Sequence, residues 1–127
     1  MMNDEQEKTL KSDSDGLQTY EYIANNIDDI DGDLPWLVDN MKRVDLNGQF
    51  LASAARYLHA IDGARYSAAI KGLVAATIDR DREHKYLPDV MSSIYGEDYQ
   101  NRAAELIATD DNFRRIYKRL YPKAESL

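Results

Sequence analysis

Residues 46–84 read LNGQFLASAARYLHAIDGARYSAAIKGLVAATIDRDREH, and this stretch decides the fold. Leu46, Phe50, Ala54, Tyr57, Leu58 and Ile61 recur at intervals of three and four, the period of one face of an α-helix. After Asp62 and Gly63, which break the run, Tyr66, Ala69, Ile70, Leu73, Val74, Thr77 and Ile78 repeat the pattern. The spacing predicts two helices, over 46–60 and 64–84. Both are rich in small residues (Ala52, Ser53, Ala55, Ser67, Ala68, Gly72, Ala75, Ala76). Small side chains let helix axes approach closely, so this pair is expected at the centre of a bundle.

Upstream, Leu17, Tyr20, Ile23 and Ile27 predict a helix over 16–27. Leu34, Leu37, Val38, Met41 and Val44 predict another, with Asp33 as N-cap and Pro35 tolerated in its first turn. Downstream, Pro88 is expected to end or kink the preceding helix. A short helix follows over 89–95, closed by Gly96. Tyr99, Ala103, Leu106 and Ile107 make another. Thr109 then caps a last helix carrying Phe113, Ile116, Tyr117 and Leu120 inward. No alternating apolar and polar run bounded by hairpin turns competes. The expected fold is all-α, an irregular bundle of five to seven short helices. Residues 1–15 are polar, aperiodic and expected to form a disordered tail, and 16–127 a single helical domain. No internal repeat is evident.

The chain has 127 residues, no cysteine and a formal charge of −7. The lack of thiols excludes disulfide frameworks, zinc fingers and thiol catalysis. No apolar leader or run of membrane-spanning length occurs, so a cytoplasmic protein that does not engage a membrane is expected. The charge is uneven: residues 1–45 hold twelve acids and four bases, residues 113–127 five bases and one acid.

Asp28 to Asp33 invites comparison with a calcium loop. With Gly32 at the sixth position, however, Ile27 and Val38 occupy the first and twelfth, where an EF-hand needs carboxylates. His59, Asp62, Asp81 and His84 could supply four ligands only if two helices meet in register, so a metal site is a remote reading and no cofactor is expected. Neither Ser53 nor Ser67 sits in a nucleophile elbow, and no Gly-rich phosphate loop occurs, so no catalytic residue is assigned. The final helix alternates basic and aromatic side chains. Arg114, Arg115, Lys118, Arg119 and Tyr121 are the candidate partner-binding residues. The leading expectation is a non-catalytic interaction or regulatory module of adaptor or inhibitor type, bound to a protein partner or to itself. A nucleic-acid regulator using the last helix is the alternative, disfavoured by net charge. A metal-dependent bundle enzyme is the third.

Overall fold

Eight α-helices account for most of the chain in the computed structural model, which describes residues 2–123. They are α1 Asp4–Lys11, α2 Leu17–Asn25, α3 Leu34–Val44, α4 Gln49–Asp62, α5 Ser67–Arg80, α6 Leu87–Tyr95, α7 Ala103–Thr109 and α8 Asp111–Leu120. Short 3₁₀ turns at Ile27–Asp29 and Tyr99–Arg102 complete the list, with no strand among the described residues. The all-α expectation holds, with eight helices rather than five to seven.

The added helix is α1, which lies in the segment expected to be a disordered tail. Its N-terminus is closed by a capping box. Asn3 Oδ1 accepts from the Gln6 amide at 2.8 Å, and Gln6 Oε1 accepts from the Asn3 amide at 2.9 Å. Leu10 is buried. The last carbonyls of α1 accept from α3: Asn40 Nδ2 donates to Leu10 O at 2.8 Å and Arg43 Nη2 to Lys11 O at 2.9 Å. Those donors lie some thirty residues downstream, so the composition of the tail gave no hint of them. Pro88 also differs from expectation: it sits in the first turn of α6 and starts that helix, where its absent N–H is no loss.

The sequence does contain a recurrence, and it lies in the loops. The α1–α2, α3–α4 and α5–α6 connections each carry a buried aspartate at their first or second residue, Asp13, Asp45 and Asp81. In the second loop, Asp45 Oδ1 accepts from the amides of Asn47 and Gly48, and Oδ2 from those of Phe50 and Leu51, at 2.8–3.1 Å. Asp13 repeats this with the amides of Asp15, Gly16 and Thr19 and the Thr19 hydroxyl. Asp81 does so with the amides of Lys85, Tyr86 and Leu87. Each carboxylate thus supplies acceptors for the first turn of the next helix, whose leading N–H groups have no intrahelical partner. Three residues after each aspartate the backbone is left-handed: Gly16 at φ +106°, Gly48 at +92° and His84 at +56°.

These loops stack on one another. A Cβ placed on Gly16 would stand 3.2 Å from Asp45 Cβ, and one on Gly48 would stand 3.3 Å from Asp81 Cβ. Each glycine therefore admits the aspartate of the next loop. The outcome is a stack of helical hairpins in which α1, α3 and α5 form one layer and α2, α4 and α6 the other, with α8 closing the end against α5 and α6. Such neighbour-on-neighbour packing is the logic of helical repeats. The most extensive helix pair is α4 with α5, where Leu51, Ala54, Ala55, Leu58 and Leu73 are fully buried. No buried side-chain nitrogen or oxygen among the described residues lacks a partner.

Burial by itself raises the pKa of Asp13, but the Thr19 hydroxyl and the amides of Thr19, Gly16 and Asp15 outweigh it and hold the carboxyl below the ordinary aspartate value. A depressed folded-state pKa adds stability above the unfolded pKa of about 3.9, and that stability is lost as pH falls through the folded value. Urea titrations from pH 7 downward should therefore show a steeper acid-side loss for the parent than for Asp13→Asn. Parallel curves would exclude this coupling.

Candidate interaction surface

Alternating helix direction sorts charge by end. The α2–α3 and α4–α5 turns meet where Arg65 bridges to Asp31 at 2.9 Å. That end carries Asp28, Asp29, Asp31 and Asp62 with Arg65 as the cation of these turns. The opposite end, formed by the aspartate loops, carries Lys11, Arg43, Arg80, Arg82 and Lys85 against the exposed carboxylates Asp15, Asp79 and Glu83 and the three buried loop aspartates. Cations there sit at the carbonyl ends of α1, α3 and α5, where helix dipoles favour them. Arg80 Nη1 donates to Asp45 O at 2.6 Å in the same manner as Arg43 to Lys11. The front-to-back gradient read along the chain thus becomes, in part, an end-to-end one across the stack.

Between α3 and α5 runs a groove of about 320 Å³. Leu34, Pro35, Val38, Tyr66, Ala68, Ala69 and Gly72 line it, with Asp31, Arg65, Asp39 and Lys42 at its edges. The small residues that the sequence assigns to helix–helix contact divide their roles here. Ala52, Ala55 and Ala76 are buried, whereas Ser67 and Ala68 are exposed and Ser53, Gly72 and Ala75 half-buried, with Ala68 and Gly72 at the groove. The acidic end forms the mouth. Burial raises the Tyr66 phenol pKa, Arg65 opposes that, and the carboxylates of Asp31, Asp62 and Asp28 add to it. Arg65 also lies 5.3 Å over the Tyr66 ring. At the far end, a Cβ on Gly72 would stand 3.5 Å from Lys42 Nζ and 3.8 Å from Val38 Cγ1, ordinary contact distances. Gly72→Ala is therefore expected to stabilise the protein by about 0.5–1 kcal/mol, through helix propensity and a less flexible unfolded chain. Thermal melts of the two proteins check this.

The last helix is less available than its sequence suggests. Phe113, Ile116 and Tyr117 are buried. Arg114 pairs with Asp111, and Arg115 donates to Asp79 of α5 at 2.9 Å. The Tyr121 hydroxyl meets that of Tyr99 at 2.6 Å and accepts from Gln100, while its ring packs on Tyr117 with centroids 4.7 Å apart. Burial followed by the Tyr121 hydrogen bond raises the Tyr99 pKa. Of the five candidate residues, Lys118 and Arg119 are the exposed ones. The aromatic cluster at Tyr95, Tyr99, Phe113 and Tyr117 makes tyrosine a packing residue here, with the half-buried Tyr95 donating its hydroxyl to Asp110 at 3.1 Å.

The four residues of the metal reading are not brought together. His59 and Asp62 stand at the C-terminal end of α4, while Asp81 and His84 follow the C-terminal end of α5. These helices run antiparallel, which separates the two pairs by roughly the length of a 14-residue helix, about 20 Å at 1.5 Å per residue. Asp81 already spends both oxygens on amides. Among the described residues no group of three His, Cys, Asp or Glu side chains could hold a metal ion. His59 instead folds over Gly63, where an added Cβ would meet its Nδ1 at 2.8 Å.

No helix of the described residues is long and apolar enough to cross a membrane. Comparison with protein-family models, curated proteins and solved structures finds no match.

Proposed function

We propose that the chain is a non-catalytic protein-interaction module of adaptor or inhibitor type, working in the cytoplasm and engaging its partner through the groove between α3 and α5. The observation that carries this reading is the groove itself. It has an apolar floor with charged groups confined to its edges, the composition of sites that take a partner's side chain. The loops joining the helix pairs are tied inward by Asp13, Asp45 and Asp81, which supports a frame that is formed before binding. A partner would meet a preformed surface, which lowers the ordering cost of binding. The nucleic-acid alternative is left with little support: two of the four candidate cations on α8 are committed to Asp111 and Asp79, and Tyr121 to Tyr99.

A photo-crosslinking residue at Ala68, in the groove, compared with one at Ser93, on the exposed face of α6, tests the reading in cells of the native host. One protein species captured at position 68, absent at 93 and lost when Gly72→Leu fills the groove, is the expected result. Equal labelling at both positions, or none at either, rejects it.

A further inference from the structure

We infer that the occupant of the α3–α5 groove is a cationic segment of a partner protein, with one large apolar side chain seated over Val38, Ala69 and Gly72 and its Lys or Arg residues paired with Asp28 and Asp62 at the mouth. This rests on the interaction-module reading and adds the partner's chemistry to it. Two features select the sign of charge. Asp31 and Arg65 line the mouth as an ion pair, and Asp28 and Asp62 stand just beyond the lining, close enough to act with Asp31 on the Tyr66 phenol. The chain as a whole carries −7, so a cationic partner is steered toward it and a second acidic copy is repelled. The order of groups within the segment follows from where the acid is in excess. Lys42, beside Gly72 at the far end, is balanced by Asp39 on the same groove, so the unbalanced carboxylates lie on the mouth side of the apolar anchor. At about 320 Å³, the groove is at the small end of ligand sites, suited to a side-chain anchor rather than to a whole helix.

The probes are short fluorescein-labelled synthetic peptides: one with a Lys-rich half and a Leu-bearing half, one with Ser for Leu, and one with Glu for Lys. Fluorescence anisotropy with the full chain should show saturable binding of the Lys/Leu peptide, weakened about tenfold, or ~1.4 kcal/mol, by either change. Raising salt to about 0.5 M should weaken it by a similar factor, since the pairing charges are exposed. Gly72→Leu should abolish binding. That variant fills the groove while improving helix propensity, so its melting temperature should not fall below the parent's. Asp28→Asn with Asp62→Asn should cost about fivefold while leaving the fold intact.

Binding that survives Gly72→Leu would reduce the effect to charge adsorption and overturn the inference. A Glu/Leu peptide that binds as well as the Lys/Leu one overturns the cationic partner, yet leaves the interaction module standing. Self-association that Gly72→Leu dissolves gives the groove to a second copy. Absence of peptide binding overturns the cationic occupant, and with crosslinking at position 68 also absent it removes the module reading itself.

Discussion

Asp45→Ala is expected to lower folding stability by about 4 kcal/mol, a large part of what a domain of this size has. The carboxylate accepts four amide hydrogen bonds, from Asn47, Gly48, Phe50 and Leu51, in a site where Asp45 is 1% exposed. Truncation leaves the Gly48 and Leu51 amides buried without acceptors, and each orphaned donor costs about 1–3 kcal/mol. It also removes the negative charge at the start of α4, where the helix dipole favours it. Asp45→Asn keeps the volume and one acceptor but turns an NH₂ group toward a pair of amides, so about 2 kcal/mol is expected. Urea unfolding checks both: the midpoint for Asp45→Ala should fall by about 2 M at an ordinary m-value. A loss under about 1 kcal/mol would mean that water replaces the carboxylate. In that case the three aspartates would be ordinary surface caps rather than the joints of the stack.

The helical period was legible from residue 46 onward because it depends only on local spacing, and Ala54, Leu58, Leu73 and Ile78 are buried as expected. But α4 starts only at Gln49, Leu46 and Ile61 of the expected inward face are exposed, and the buried Leu51 was not among the residues the spacing singled out. What else escaped is carried by groups far apart in sequence. The capping of α1 by Asn40 and Arg43 is one case, and the neutralisation of Arg115 by Asp79 is another. The loop recurrence was hidden for a different reason. Asp13-Ser14-Asp15-Gly16 and Asp45-Leu46-Asn47-Gly48 share an aspartate, a second Asp or Asn and a glycine, whereas Asp81-Arg82-Glu83-His84 keeps the aspartate alone. Short polar stretches with Asp, Asn and Gly read as solvated turns, and nothing in their composition separates a buried carboxylate from an exposed one. The groove escaped for a related reason. Small residues on α5 signal close approach, and sequence does not say whether the neighbour is a helix of this chain or of another.

The third loop explains why a glycine is kept at two positions and not at the third, and this yields a pair of expectations of opposite sign. Gly48→Ala should cost about 3 kcal/mol. Its φ of +92° lies where a side chain is strained by about 1–2 kcal/mol, and the new methyl would meet Asp81 Cβ at 3.3 Å and the Asp81 backbone amide at 3.4 Å. Backbone held by the Asp81 bonds yields poorly, so packing adds to the strain. Gly16→Ala should behave similarly, with Met41 Sδ at 2.9 Å and Asp45 Cβ at 3.2 Å from the added atom. His84 occupies the equivalent place in the last of the three loops. Its side chain is tolerated at φ +56° because no fourth aspartate loop stacks on it; the α7–α8 junction is instead a single N-cap at Asp110. His84→Gly should therefore relieve the left-handed strain and, after the greater entropy of an unfolded glycine, stabilise the protein by about 0.5 kcal/mol. Melting curves for Gly48→Ala and His84→Gly should move in opposite directions. If both fall, the side chain of His84 contributes contacts that outweigh its backbone strain, and the stack does not end where the third loop places its edge.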